Sequence, residues 1–194
     1  MCHRPRRSDA MRTLDGELWD SLLAANLPED LLGVVHNAAT EGERHTAHGH
    51  YREAISAYKR GLSALPRPRS QWTASLWFKT AIGDAQWFDR DYAAASRTWV
   101  SAIIAGALGN PFVHMRLGQT LLELGREHGA RNELLRALMI GGVRVFQEED
   151  PRYFQFIASR ALPPPGCESW TGFAGLPDDH PALRYLLDRK RYSS

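Results

Sequence analysis

The sequence predicts an all-α fold of stacked helical hairpins, and three observations carry that expectation. A pattern of small and large residues recurs through the middle of the chain, apolar residues outside it fall at helical spacing, and helix start and stop signals punctuate both. The pattern anchors on Gly42, Gly83 and Gly118, spaced 41 and 35 residues apart. Twelve positions after each comes Ala54, Ala95 or Ala130, and four further on Tyr58, Trp99 or Leu134. Three beyond that stands Gly61, Ala102 or Ala137, followed directly by Leu62, Ile103 or Leu138. With 24 Ala and 16 Gly in 194 residues, nine small residues in nine prescribed places arise by chance on the order of one in a million.

Taken in order, residues 1–10 have no apolar periodicity and read as a disordered basic tail carrying Arg4, Arg6 and Arg7, with Met11 as the working start. Residues 11–34 read as an N-terminal helical cap. Leu14, Leu18, Trp19, Leu22 and Leu23 give an amphipathic helix over Leu14 to Ala25, and Leu27-Pro28-Glu29-Asp30 signals a second start. Residues 35–142 hold three repeat hairpins, six helices in all, with Pro66-Arg67-Pro68-Arg69-Ser70 inserted after the first. Gly141-Gly142 ends the last of them. Residues 143–194 read as C-terminal capping helices: Asp150 caps, Pro151 takes the first helical position, and Tyr153, Phe154, Phe156 and Ile157 supply apolar surface. Residues 162–179 are an irregular Pro-rich connection, and Pro181 to Arg191 is a last helix with Leu183, Leu186 and Leu187 on one face.

The spacing resembles the tetratricopeptide repeat (TPR) family, whose pattern runs Trp, Leu-Gly, Tyr, Ala, Phe, Pro along a helix-turn-helix unit of roughly 34 residues. The segments that carry the likeness are Gly49-x-Tyr51-x-x-Ala54-Ile55-x-x-Tyr58-x-x-Gly61-Leu62-x-x-x-Pro66 and Leu117-Gly118-x-x-Leu121-x-x-x-Gly125-x-x-x-x-Ala130. The chain departs from the pattern in the early Trp column, which reads Ala38, Lys79 and His114. What the resemblance implies is a right-handed superhelix of three hairpins that binds another protein or peptide in its concave groove. Ligand-facing positions of the family carry over to Trp77, Thr80, Asp84, Trp87 and Phe88 in the second unit, and to Phe112, Met115 and Gln119 in the third, with Arg116 beside them. The aromatic residues would anchor a partner, and Asp84, Arg116 and Gln119 would orient it. The runs Gly109-Asn110-Pro111-Phe112-Val113-His114 and Glu149-Asp150-Pro151-Arg152-Tyr153-Phe154 also look like small bacterial repeat proteins found beside secreted polymorphic toxins. That second resemblance implies an immunity protein whose partner is a toxin domain.

Composition narrows the alternatives. The formal net charge is only +2, from 24 Lys+Arg against 22 Asp+Glu, which argues against a dedicated nucleic-acid or anionic-membrane binder. The longest nearly apolar run, Trp99 to Leu108, is about half the length needed to span a bilayer. Cys2 and Cys167 stand far apart without metal-ligand spacing and read as reduced thiols, and polar residues follow Arg7 where a signal sequence would be apolar. These point to a cytoplasmic protein.

Catalytic motifs are sparse. His45-x-x-His48-x-His50 puts three imidazoles within six residues and is the one metal-like cluster, the basis of an alternative reading as a metal-dependent hydrolase. The repeat places His45 and His48 near the end of a first helix and His50 in the turn, with no fixed carboxylate or thiolate partner. Glu148-Glu149-Asp150 and Asp178-Asp179 read as helix-start charges. There is no G-x-S-x-G and no P-loop glycine string. The sequence therefore predicts a protein without catalytic residues and without a cofactor.

Overall fold

The computed structural model describes residues 27–163, 165 and 168–187, and within them the chain is all-helical. The tail at 1–10, the helix expected over Leu14 to Ala25, and Cys2 and Cys167 lie outside the described residues, as do residues 188–191 of the helix expected over Pro181 to Arg191. Six longer helices follow one another: α1 (Glu29–Ala47), α2 (Tyr51–Ala64), α3 (Thr73–Phe88), α4 (Tyr92–Ile104), α5 (Pro111–Glu123) and α6 (Glu127–Gly141). Two short ones close the described chain, α7 (Pro151–Ala158) and α8 (Pro181–Leu186). Each helix from α1 to α6 packs on the next, and α8 packs back on α6.

The repeated glycines have a common physical role. A Cβ at Gly42 would collide with the ring of Tyr58, one at Gly83 with the ring of Trp99, and one at Gly118 with Leu134. Each glycine thus faces the large residue sixteen positions later, on the second helix of its own hairpin. The two helices approach closely because one side contributes no side chain where the other contributes a bulky one. Gly61 plays the same part between hairpins, against the ring of Phe78 on α3. Ala54, Ala95, Ala130, Ala102 and Ala137 are fully buried at the other small positions.

Helix ends follow their sequence signals. Asp91 caps α4 by accepting from the Ala94 amide at 3.0 Å, and Asn110 caps α5 by accepting from Phe112 N at 3.0 Å, ahead of Pro111. Asp150 caps α7 in the same manner, ahead of Pro151. The turns inside the three hairpins share a left-handed residue, at Gly49 (φ 75°), Arg90 (φ 63°) and Gly125 (φ 70°).

Beyond α6 the connection folds back onto the helix end. Val143 N donates to Phe173 O at 2.9 Å and Leu176 N to Met139 O at 2.7 Å. Gly142 and Gly175 permit this, since a Cβ on the first would strike the backbone at Phe173 and Ala174, and one on the second the carbonyl of Ile140. Both have positive φ, which glycine adopts without strain.

Candidate functional site

The residues expected to line a partner groove do come together, but mostly inside the protein. α5 is buried on every side from Phe112 to Thr120, because it lies between α4, α6 and the chain after α6. A helix enclosed on all faces must satisfy its polar side chains internally. Arg116, only 2% exposed, is the centre of that arrangement.

Its guanidinium lies 4.7 Å from the Trp87 ring centroid, 5.2 Å from Phe112 and 5.5 Å from Phe88. Nη1 donates to Gln119 Oε1 and to Glu149 Oε2, both at 2.9 Å, and Gln119 Nε2 donates to the same Glu149 oxygen at 3.0 Å. On the other side Nε lies 2.8 Å from Asp84 Oδ1, a charge contact whose angle falls short of a directed hydrogen bond. One arginine thereby ties together α3 through Asp84, α5 through Gln119, and the strap before α7 through Glu149. Burial pushes the Asp84 carboxyl above its ordinary range and the nearby Glu149 adds to this, while Arg116 pulls it back down. Glu149 is the member that sequence reasoning missed: of the acidic run, Asp150 caps α7 as expected, whereas Glu149 turns inward.

The remaining expected residues sit nearby. Trp87 and Phe88 are half-buried and meet edge to face at 5.1 Å, and Phe88 stacks on Tyr51 at 5.5 Å. Trp77 is half-buried between hairpins, edge-on to Tyr58 at 5.6 Å. Thr80 donates its hydroxyl back to Trp77 O at 2.7 Å. Phe112 stands edge-on to Trp99 at 6.1 Å, and Met115 is buried below it. Asp84, Phe112, Met115, Arg116 and Gln119 are all less than a tenth exposed, so they shape a surface more than they offer one.

The surface they shape is a cleft of about 850 Å³ between α3, the start of α5 and the chain from Arg144 to Glu149. Leu76, Phe112, Met115 and Val145 give it an apolar floor, while Asn110, Arg144, Gln147 and Glu148 give it a polar rim. Leu76 and Val145 are half-exposed, and Arg144 and Gln147 are exposed.

A second buried network starts from His114, two residues before Arg116 and on another side of α5. His114 Nε2 donates to Leu108 O at 2.7 Å, His114 Nδ1 lies 2.7 Å from Glu133 Oε2, and Arg136 donates to the other oxygen of Glu133. Arg136 Nε also donates to Leu186 O at 2.9 Å, which fixes α8 to α6.

The histidine cluster is arranged as the sequence suggested: His45 in the last turn of α1, His48 just past it, His50 just before α2. The His50 ring centroid lies 6.1 Å from each of the other two. Among the described residues no group of three or more His, Cys, Asp or Glu side chains is placed to hold a metal ion. Nor is any helix among them long and apolar enough to cross a membrane. No family model, curated protein or solved structure matches the chain.

Proposed function

We propose that the protein is a non-catalytic binding module for another protein, with its three hairpins forming a TPR-like right-handed superhelix. The observation that carries this reading is the cleft between α3, α5 and residues 144–149: an apolar floor open to solvent, ringed by polar groups and held by a buried ionic tie. Interfaces concentrate their energy in such places, where an apolar anchor fills a pocket and a polar rim fixes its orientation. The recurring contact of each hairpin glycine with the large residue sixteen positions on supports the repeat. The resemblance to bacterial immunity proteins names a toxin domain as one class of partner.

The aromatic residues first assigned to the groove are relocated in this reading. Phe112 and Met115 are floor, Trp87 and Phe88 support the Arg116 tie, and Leu76, Val145 and Gln147 are the contact positions. The test is quantitative mass spectrometry of proteins that co-purify with the tagged full-length chain, repeated with Leu76→Glu and Val145→Glu. An interface anchor costs about 2 kcal/mol or more when lost, so a genuine partner should drop by roughly 30-fold in affinity. A partner retained by both folded variants would rule the cleft out.

A further inference from the structure

A second cleft, of about 720 Å³, runs between α2, α4 and the turn that joins α3 to α4. Arg52, Lys59, Arg90 and Arg97 line it, with Asp89 and Asp91, and Ile55 and Ala94 contribute its apolar surface. The two carboxylates are already engaged. Asp89 pairs with Arg52 at 3.2 Å, and Asp91 caps α4 through the Ala94 amide. Lys59, Arg90 and Arg97 have no ion-pair partner among the described residues, and the cleft as a whole carries four cations against two carboxylates.

Two independent features say that these cations serve a ligand. The first is Gln86, which lines the cleft while only 7% exposed. Its Oε1 accepts from Thr98 Oγ1 at 2.7 Å, so its amide NH2 is held in place with no acceptor of its own among the described residues. That NH2 reaches solvent in the cleft, a positioned donor that suits an acceptor oxygen. The second is Arg90. The corresponding turn positions of the other hairpins are Gly49 and Gly125, 41 residues before and 35 after, at nearly the same left-handed φ. Only here does a residue with a side chain take up that conformation, which L-residues avoid. The strain is accepted at the one hairpin turn that borders the basic cleft.

The geometry points to a binding site for an acidic protein segment that carries carboxylates along its length, with an apolar side chain between them. Arg52 and Lys59 are seven positions apart on one helix, a rise of about 10 Å, so the cations follow the cleft instead of converging on a point. A single phosphate or sulfate cannot reach both ends. A chain of spaced carboxylates can, and Ile55 lies between the two cations in sequence, where an apolar partner residue would sit. The overall charge of +2 lacks the broad positive field that a nucleic-acid backbone requires. This site uses the second helices of the hairpins and does not rest on the reading of the cleft beside α5.

The test is fluorescence anisotropy of the full chain with a labelled peptide of alternating glutamate and leucine. A lysine–leucine counterpart, a labelled DNA oligonucleotide and inorganic phosphate as competitor supply the comparisons. The acidic peptide should bind and weaken as salt rises. Arg90→Gly, which keeps the turn, and Arg97→Gln should each reduce its affinity by roughly five-fold, and Gln86→Leu should reduce it as well. Four results would each overturn the assignment: no binding of the acidic peptide, equal binding of the basic one, tighter binding of the oligonucleotide, or affinity unchanged in Arg90→Gly and Arg97→Gln with circular dichroism intact. Full displacement by phosphate at its own binding concentration would do so too, by reducing the site to a simple oxyanion pocket.

Discussion

The first and third hairpins use the same glycine-against-bulk contact and yet are stabilised differently. In α1 and α2 the buried positions are Val35, Ala38, Ala39, Gly42, Ala54, Ala57, Tyr58 and Gly61, with no charged side chain among them. In α5 and α6 the buried positions include His114, Arg116, Gln119, Glu133 and Arg136. The difference follows from enclosure. α1 keeps an exposed polar face, whereas α5 is covered on all sides, and its polar residues had to be paired within the protein. An apolar hairpin loses contact area when it is cut; a charged one is left with an unpaired ion. The energetic scale of a single substitution should therefore differ sharply between them.

The largest expected effect is at Arg116. Arg116→Ala leaves the Asp84 and Glu149 carboxylates without their shared cation in a buried place, and breaking one partner of a buried ion pair costs about 3–5 kcal/mol. Urea denaturation should show that loss, while Arg60→Ala, which removes exposed contacts with Glu41 and Ser56, should fall within about 0.5 kcal/mol of wild type. Equal effects would erase the distinction between the hairpins. Next comes overpacking at the small columns. Ala54→Leu in the first hairpin and Ala130→Leu in the third should each cost roughly 1–3 kcal/mol by the same measurement, because both sites are fully buried. Here the two hairpins should agree, since this contact is the part they share.

A smaller effect, dependent on pH, is expected at Asp84. Burial raises its carboxyl above the ordinary value near 3.8, so the folded chain binds that proton more strongly than the unfolded chain does. The stability Asp84 contributes is thus full below pH about 4 and is lost as pH rises through the folded value. Relative to Asp84→Asn, the wild-type chain should lose stability across that rise, seen in denaturation curves taken at acid and neutral pH. A difference that stays constant with pH would mean that Arg116 fully offsets the burial. The smallest change is Arg90→Gly, which removes the left-handed strain and should leave stability equal or raise it by up to about 1 kcal/mol in thermal denaturation.

What was legible in the sequence was set by how far apart the partners are. Gly42 with Tyr58, Gly83 with Trp99 and Gly118 with Leu134 recur at one short spacing, so their packing reads directly from the columns. The caps at Asp150 and Gly142 are legible for the same local reason. Arg116 meets Asp84 and Glu149 from more than thirty residues on either side, at no repeating interval. Sequence reasoning placed Asp84, Arg116 and Gln119 together, but facing a partner instead of one another. One signal was present: between Phe112 and Leu122 apolar residues fall on every side of the helix, interleaved with His114, Arg116 and Gln119, which marks an enclosed helix and so an internal use for the charge within it. Gln86 and Arg90 were not singled out, because their significance depends on a cleft formed with α2.

The glycines of this chain also differ in what their neighbours would permit over long mutational drift. Gly42 is hemmed in by the ring of Tyr58, and a side chain can shrink: a larger residue at 42 and a smaller one at 58 are a viable exchange if they arrive together. Gly142 and Gly175 are hemmed in by main chain, which every amino acid carries alike, and both hold a positive φ. No second substitution can make room there. Diverged descendants of this sequence should therefore show paired variation between positions 42 and 58, and none at 142 and 175, where the end of the last long helix meets the returning chain.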